Sequence, residues 1–250
     1  MTNPFSQFPR FYVTAPGACP YLDGKQERKV FTELNDENPQ ALHESLMKVG
    51  FRRSQDIAYR PSCDYCTECK SVRIPTASFR PNRTQRRLVR LNGDLLVSKR
   101  ANRITREQYD LLSAYLADRH PDGGMSEMTY DEYKNMVECS PINTCLIEYR
   151  LPEQQGGGAE NPGRLLAVTL TDIMADSLSM VYSFYDVSAD FRKRSLGTYV
   201  ILDHIARARL LGLDYVYLGY WVKDSPKMAY KINFQPLEIL DGEGWSPVNK

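Results

Sequence analysis

The chain has 250 residues, of which 42% are apolar and 25% are charged, and a formal charge of +1 at pH 7. This composition is typical of one large or two small globular domains and excludes a collagen-like, coiled-coil or largely disordered protein. No stretch approaches the roughly 18 consecutive apolar residues of a membrane span, and the N-terminus has no apolar core of the kind that a signal peptide needs. The sequence therefore predicts a cytoplasmic protein without a membrane segment.

The charge is divided unevenly along the chain. Residues 52–106 contain 14 basic and four acidic residues and carry +10, whereas the remainder, with 18 basic and 27 acidic residues, carries −9. A basic block inside an acidic chain is expected where a phosphate-rich partner is held at one place. The alternative is a solvated, arginine-rich surface.

The N-terminal part mixes irregular and regular patterns. Residues 1–37 are rich in Pro, Tyr and Phe without periodicity, so they are predicted to be mostly coil. A short helix is predicted between Asn38 and Gly50, because an N-cap, an N1 proline and a C-terminal glycine surround an apolar face. Strands are predicted from Phe51 to Arg60 and near Ser71–Ile74.

Three cysteines lie at two-residue gaps between these strands: Cys63, Cys66 and Cys69. This spacing lets a tight loop turn several sulfur atoms toward one zinc ion or iron–sulfur cluster, and Cys19 could supply a fourth ligand. In a chain without a secretory signal, thiols or metal ligands are favoured over disulfides. A group of reduced cysteines without metal is the alternative.

A strongly basic helix is predicted over residues 83–91. Arg83, Arg86, Arg87 and Arg90 recur at spacings of three and four, so they share one helix face. Such a face repels itself unless anions lie opposite. Two amphipathic helices are predicted next, each opening with a capping box. They cover Thr105–His120 and a segment that begins at Thr129.

From Thr144 the apolar period changes to two, which predicts an antiparallel meander. Its strands are Thr144–Leu151, Leu165–Ile173 and Leu178–Tyr185, with Gly156–Gly158 in the first connection. A helix from about Ser195 to Leu211 and a buried strand over Leu213–Gly219 follow.

This order of elements, with its Arg194-x-x-Gly197 loop, resembles the acyltransferase fold of the Gcn5-related N-acetyltransferases. The resemblance implies an α+β fold with a mixed sheet flanked by helices over residues 76–250, including the basic helix. A smaller, cysteine-containing basic α/β subdomain would cover residues 1–75. Those enzymes place a small residue where Tyr199 stands here, which argues against coenzyme A as the donor.

Seven ordered motifs carry a closer resemblance that spans nearly the whole chain. They are Cys19-Pro-Tyr-Leu22, Gly50-Phe-Arg-Arg-Ser54, Tyr59-Arg-Pro-Ser-Cys63-x-x-Cys66-x-x-Cys69, Phe79-Arg-Pro-Asn-Arg-Thr-Gln-Arg-Arg87, Tyr182-Ser-Phe-Tyr-Asp186, Arg194-Ser-Leu-Gly197 and Tyr215-Val-Tyr-Leu-Gly-Tyr-Trp221. These look like the motifs of the bacterial aspartate/glutamate leucyltransferases, relatives of eukaryotic arginyl-tRNA–protein transferase. The resemblance implies transfer of leucine from leucyl-tRNA to proteins with N-terminal Asp or Glu, which marks them for degradation by the N-end rule pathway.

Aminoacyl-tRNA is an activated ester, so the implied reaction requires no cofactor for catalysis. It requires two substrates held together, a proton acceptor for the α-amine, and a stabilised oxyanion. In related folds, backbone amides of a splayed central strand meet the oxyanion, which here implies the Tyr182–Asp186 stretch. Asp186, Tyr185 or Tyr220 would assist proton transfer, and these three with Tyr182 are the candidate catalytic residues. Packing within the sheet is the alternative role for the tyrosines.

The two substrates require cations. The candidate tRNA surface consists of Arg52, Arg53, Arg73, Arg83, Arg86, Arg87 and Arg90. The candidates for holding the acidic residue of the acceptor, which the sequence does not rank, are Arg194, Lys223, Lys227 and Lys231. Two other functions remain open at this point: a coenzyme A-dependent N-acetyltransferase, and a non-enzymatic RNA-binding protein with a zinc loop.

Overall fold

The computed structural model describes residues 9–119, 127–152 and 163–248. In chain order the strands are β1 (Tyr12–Val13), β2 (Gly17–Ala18), β3 (Gln26–Glu27), β4 (Lys29–Glu33), β5 (Arg52–Ser54), β6 (Ile57–Pro61), β7 (Lys70–Pro75), β8 (Leu96–Arg100), β9 (Thr144–Leu151), β10 (Arg164–Ile173), β11 (Ser177–Tyr185), β12 (Tyr215–Trp221), β13 (Glu238–Asp241) and β14 (Gly244–Pro247). The α-helices are α1 (Pro39–Lys48), α2 (Arg83–Leu91), α3 (Arg106–Arg119), α4 (Tyr130–Glu138) and α5 (Leu196–Leu210), with short 3₁₀ helices at Arg192–Arg194 and Ala229–Asn233.

An eight-stranded mixed sheet organises the molecule, in the order β14-β13-β7-β12-β11-β10-β9-β8. The pair β11–β12 is parallel, and the other neighbours in this sheet pair antiparallel. A four-stranded sheet, β1-β4-β6-β5, and the small β2–β3 pair are built from the N-terminal part. The predicted α+β fold with a mixed sheet is confirmed.

Helices cover both faces of the large sheet. On one face α5 buries Val200 and Ile205 against Val216 and neighbouring strand residues. On the other face α3 and α4 bury Leu112 and Tyr133 against β10 and β11. Both faces of the central strands are therefore dry, which explains the near-continuous burial of β9 and β10. No helix among the described residues is long and apolar enough to cross a membrane.

The structure confirms the elements that were predicted from long periodic patterns and helix caps. Helix α2 spans the predicted residues and opens with a capping box between Asn82 and Gln85. Thr129 likewise caps α4. The meander β9-β10-β11 is antiparallel as expected, while its predicted connection at Gly156–Gly158 and the predicted helix end at His120 lie outside the described residues.

The short strands were predicted less well. The prediction of mostly coil for the N-terminal part missed the strands β1 to β4, of which β4 pairs along its length with β6. The single strand predicted over Phe51–Arg60 is a hairpin that turns at Gln55, whose φ is +54°. Strand β8 was not predicted at all. These strands have two to five residues, so the long-range ladder and not local periodicity defines them.

The predicted domain division at residue 75 follows directly after β7. This strand lies between β12 and β13 and pairs with both, although β7 is on the N-terminal side of the division. A buried ion pair further joins β5 to β10: Arg53 donates to both carboxylate oxygens of Asp172 at 2.8 and 2.6 Å. The division itself stays a prediction.

His204 is buried between α5 and the sheet, and it predicts a pH dependence of stability. Its Nδ1–H donates to the Val200 carbonyl at 2.7 Å, and Nε2 lies 2.9 Å from the Thr171 hydroxyl. Burial, the largest cause, lowers the pKa of His204 from 6.5 to about 4. The unfolded chain therefore binds the additional proton between these values, and stability falls as the pH falls through this window.

We expect the free energy of unfolding to decrease by about 2–3 kcal/mol between pH 7 and pH 4.5 because of this group. Urea titrations at the two pH values, for the wild type and His204→Gln, measure it. The variant should lose most of this decrease, whatever its absolute stability. An equally steep decrease in both proteins would contradict the assignment.

Candidate active site

The parallel strands β11 and β12 separate along their length. They pair over Ser177–Ser179 and Tyr215–Tyr217, and no further pairs between them follow in the described residues. The register of β12 against β7 also shifts between Tyr217 and Tyr220, where Gly219 has a φ of +74°. The resulting gap, between residues 180–185 of β11 and 218–221 of β12, is named the β11–β12 opening.

Two backbone amides face this opening. The Asp186 amide donates to the Leu166 carbonyl of β10 at 2.8 Å. Because amides of an antiparallel strand alternate between its two edges, the amides two and four residues earlier also face β10. The amides of Ser183 and Tyr185 then face the opening. The predicted oxyanion stretch is thereby reduced to these two donors.

Tyr185 lies at the mouth of the opening, beside the first turn of α5. Its ring contacts Tyr115 edge-on, with centroids 5.0 Å apart. A Cβ at Gly197 would lie 2.9 Å from the Tyr185 hydroxyl oxygen, so only glycine lets the helix approach the ring this closely. Gly197 therefore lets the first turn of α5 pack directly against the Tyr185 ring.

Tyr182 lies on the opposite face of the sheet. It packs with Phe184 in the core beneath α3 and α4, whereas Tyr185 packs on the α5 side. Burial raises the pKa of Tyr182 to about 12, so its hydroxyl stays protonated at neutral pH. Tyr182 and Tyr185 pack in different core clusters, but both lie near Tyr115 of α3.

Asp186 is held by two neighbours. Arg164 donates to its Oδ2 at 2.7 Å, and the Ser188 amide donates to its Oδ1 at 2.9 Å. Burial alone would raise the pKa of Asp186, but the Ser188 hydrogen bonds and the Arg164 charge outweigh it and lower the pKa. The carboxylate is therefore a weak base. Arg164 was missed by sequence analysis, because only the β10–β11 register brings it here.

Tyr220 does not serve proton transfer. Its hydroxyl hydrogen is directed at two carbonyl oxygens, those of Gly50 at 2.9 Å and Tyr59 at 3.0 Å. Burial raises the pKa of Tyr220 far above its usual value. The side chain ties β12 to the N-terminal sheet, and its predicted catalytic role is corrected to a structural one.

The arginines of the predicted tRNA surface divide into two groups. Four lie on α2, where the structure leaves their side chains exposed. These are Arg83, Arg86, Arg87 and Arg90. The buried face of α2 is anchored at both ends: Gln85 donates to the Asn233 carbonyl, and Asn92 donates to the Arg194 carbonyl. The basic helix therefore runs beside the elements that border the β11–β12 opening.

The other three arginines do not belong to this exposed surface. Arg53 is completely buried against Asp172. Arg73 pairs with Glu238 at 2.7 Å and stacks between Tyr215 and Trp245. Arg52 is 5% exposed. We therefore remove these three from the predicted tRNA surface, since a charge count cannot distinguish buried from exposed arginines.

The four candidate acceptor-binding cations also differ. Arg194 already has an acidic partner, because it forms a bidentate pair with Asp94 at 2.7 Å for each nitrogen. Lys223 and Lys227 are exposed in the loop after β12. Lys231 is buried, and its Nζ donates to the Tyr220 carbonyl.

The cysteines border a cavity of about 370 Å³ between the N-terminal sheet and the large sheet, which Ser71 of β7 and Tyr220 of β12 also line. The cavity is lined by Cys19, Cys63, Cys66 and Cys69, all of which are free thiols. The backbones of Cys63 and Cys66 pair in an isolated antiparallel β-bridge across a tight turn. Within the described ranges, however, no three cysteine, histidine or acidic side chains are placed closely enough to hold a metal ion. The four thiols therefore surround one cavity without lying at metal-ligand distances from one another.

Comparison with known proteins decides the family. Residues 107–241 match the model of the arginine-tRNA-protein transferase C terminus, and residues 17–87 match the model of its N terminus. The chain belongs to the arginine-tRNA-protein transferase family. The predicted family and enzyme class are thereby confirmed.

Two relatives in this transferase family match over nearly their whole length. The aspartate/glutamate leucyltransferase of Sphingopyxis alaskensis is 52% identical over 246 residues, covering 98% of this chain and 93% of the relative. That of Sphingomonas elodea is 51% identical, covering 96% and 91%. The crystal structure of FemX aligns with 91% of this chain and 84% of its own, at 13% identity and a TM-score of 0.47.

Proposed function

We propose that this transferase moves leucine from leucyl-tRNA to the α-amine of proteins whose first residue is Asp or Glu, which marks them for N-end rule degradation. Two relatives named aspartate/glutamate leucyltransferase, about half identical to the chain along almost its entire length, support leucine as the donated residue and acidic residues as the acceptors. The β11–β12 opening beside an exposed basic helix supports an ester donor attached to a polyanion.

In the proposed reaction the ester carbonyl lies in the opening. The acceptor's neutral α-amine attacks the carbonyl carbon, and the amides of Ser183 and Tyr185 donate to the oxyanion that forms. Collapse of the tetrahedral intermediate breaks the ester bond, so the tRNA leaves with its terminal ribose hydroxyl and a peptide bond remains. The proton of the amine is transferred to the departing oxygen or to solvent.

A strong base is not needed for this step. An N-terminal α-amine has an ordinary pKa of about 7.7–8.0, so a useful fraction is neutral at physiological pH. Asp186 directly follows Tyr185 in β11, and its carboxylate accepts hydrogen bonds from the Ser188 amide and from Arg164. We assign it a proton-accepting role of modest size, with Tyr185 orienting the amine.

The decisive experiment is a donor screen with single aminoacyl-tRNAs. Transfer of labelled amino acid to peptides that begin with Asp, Glu or Ala is measured with each purified tRNA, and with labelled acetyl-coenzyme A. We expect transfer of leucine alone, to the Asp and Glu peptides alone. Acetyl transfer would indicate the coenzyme A-dependent alternative. Binding of charged and uncharged tRNA without any transfer would indicate the RNA-binding alternative.

We also propose that the cysteine cavity is a structural site for a zinc ion or an iron–sulfur cluster, formed when the Cys63–Cys69 loop tightens. The convergence of four cysteines on one cavity supports it. Elemental analysis of the protein should find zinc or iron, and Cys66→Ser should lose it together with some thermal stability. Turnover at low temperature should remain, because Cys66 is not among the residues assigned to the reacting carbonyl. A metal-free wild type as stable as its metal-incubated form would contradict this.

A further inference from the structure

Two buried cations meet at the bulge of β12. Arg52 is 5% exposed, and its Nη2 donates to the Gly219 carbonyl at 3.4 Å and to the Ser71 hydroxyl. Lys231 is 7% exposed, and its Nζ donates to the carbonyl of the next residue, Tyr220. Two cationic side chains from distant parts of the sequence therefore converge on consecutive carbonyl groups of one strand.

Neither cation has an acidic partner among the described residues. The charged and titratable groups that act on Arg52 are tyrosines, including Tyr217 and Tyr220, whose rings its guanidinium faces at 4.9 and 5.6 Å. The group that acts on Lys231 is Arg52 itself. Moreover, Arg52 Nε is buried without a hydrogen-bond partner.

This arrangement is unlike the other buried arginines of the sheet. Arg53 and Arg150, which are also buried, each form an ion pair with a carboxylate, at 2.6 and 2.7 Å. A buried charge is costly unless an opposite charge compensates it. Burial, and secondarily the Arg52 charge, lowers the pKa of Lys231 to about 7, which is the response expected of two like charges held together in a dry place. An incoming anion would relieve both effects.

The pair also lies where an acceptor has to arrive. Gly219 and Tyr220 form the β12 side of the β11–β12 opening, and a Cβ at Gly219 would lie 4.0 Å from Lys231 Nζ. The residue before Lys231, Tyr230, lies near Tyr185 on the other side of the opening. Lys231 therefore lies beside the opening in which we place the reacting carbonyl.

We propose that Arg52 and Lys231 form a carboxylate-binding site that receives the acidic side chain of the acceptor's first residue. The inference rests on the proposed function, which places the reaction in the same opening. A carboxylate there replaces the missing partner of two cations, and a neutral side chain of the same shape does not. The site would thus select acceptors by charge.

Peptides that begin with Asp or with Asn test the proposal, because the two residues differ in charge and hardly in shape. Their binding to wild type and Lys231→Met is measured by fluorescence anisotropy in the absence of tRNA, and kcat/KM is measured with the charged donor. We expect Lys231→Met to lose about 100-fold for the Asp peptide and little for the Asn peptide. Lys231→Arg should recover part of the Asp preference.

Lys134→Met, an exposed lysine on α4, is the matched control and should retain the preference. Leucyl-tRNA affinity should be equal in wild type and Lys231→Met, which shows that the variant is folded. An equal loss for both peptides would overturn the proposal, and so would a loss of preference in Lys223→Met or Lys227→Met alone. Because peptide binding needs no donor, failure of leucine transfer is distinguishable from failure of this site.

Discussion

Replacing the exposed arginines of α2 with glutamine is expected to lower the affinity for leucyl-tRNA about 100-fold at 50 mM salt. The four substitutions are Arg83→Gln, Arg86→Gln, Arg87→Gln and Arg90→Gln. Each arginine that contacts a phosphate releases counterions on binding, so the loss of four contacts also makes the plot of log affinity against log salt about three units less steep. The fold should be unaffected, because the side chains lie in solvent and the capping box of α2 is retained.

Filter binding between 50 and 200 mM salt measures both quantities. For the wild type, four phosphate contacts predict a decrease in affinity of roughly 50- to 150-fold over this range. Arg106→Gln with Arg119→Gln, two exposed arginines of α3, is the matched control and should bind like the wild type. If the affinity of the quadruple variant for leucyl-tRNA depends on salt as steeply as that of the wild type, the basic face of α2 is a solvated surface and the tRNA binds elsewhere.

Arg53→Met is expected to destabilise the protein by about 3–5 kcal/mol, the second large effect. The substitution leaves the carboxylate of Asp172 buried with 0% exposure and without its guanidinium. His43, whose Nε2 lies 3.6 Å away, and the Thr144 hydroxyl at 3.0 Å compensate only in part. Since this pair joins β5 to β10, the loss should weaken the contact between the two sheets.

Chemical denaturation of the double variant Arg53→Met/Asp172→Asn shows whether the loss of stability comes from the buried charge of Asp172 or from the lost packing of Arg53. Removing the carboxylate charge as well should restore more than half of the lost stability, because no charge is then left buried. Burial alone would raise the pKa of Asp172, but its contacts with His43 and Arg53 lower it in the wild type. Without Arg53 the pKa rises, so the deficit of the single variant should shrink as the pH falls.

The exposed pair of Arg106 and Asp110 provides the control for this experiment. Its side chains are 74% and 60% exposed, so Arg106→Met should change stability by less than about 1 kcal/mol. A single variant Arg53→Met within this limit would show that Asp172 is solvated or protonated. A double variant no more stable than the single one would show that packing, and not charge, explains the loss.

The helices and the long strands could be predicted because their signals are local. The capping pattern at Asn82 and Gln85 and the apolar spacing behind it suffice to define α2. The alternating residues of β9, β10 and β11 define the meander in the same way. Short strands such as β4 and β8 carry no comparable signal, since their stability comes from partners that are far away in the sequence.

The site was predicted less completely, and the arginines show why. Arg53 and Arg86 are indistinguishable as letters in a basic segment, yet one is completely buried against a carboxylate and the other is exposed. Likewise, the Tyr182–Asp186 motif indicated the correct strand. Only its register against β10 shows which of its amides face the opening.

The sequence by itself determined the class of the fold, the basic face of α2 and, through its ordered motifs, the family. Capping, periodicity and charge spacing act over a few residues, so they can be read from neighbours in the chain. The tertiary structure alone decided which cations are paired, that Tyr220 is a tether, and that Arg52 and Lys231 converge without an acid. Burial and pairing depend on residues more than a hundred positions apart, and the free energy of a charge depends on that environment.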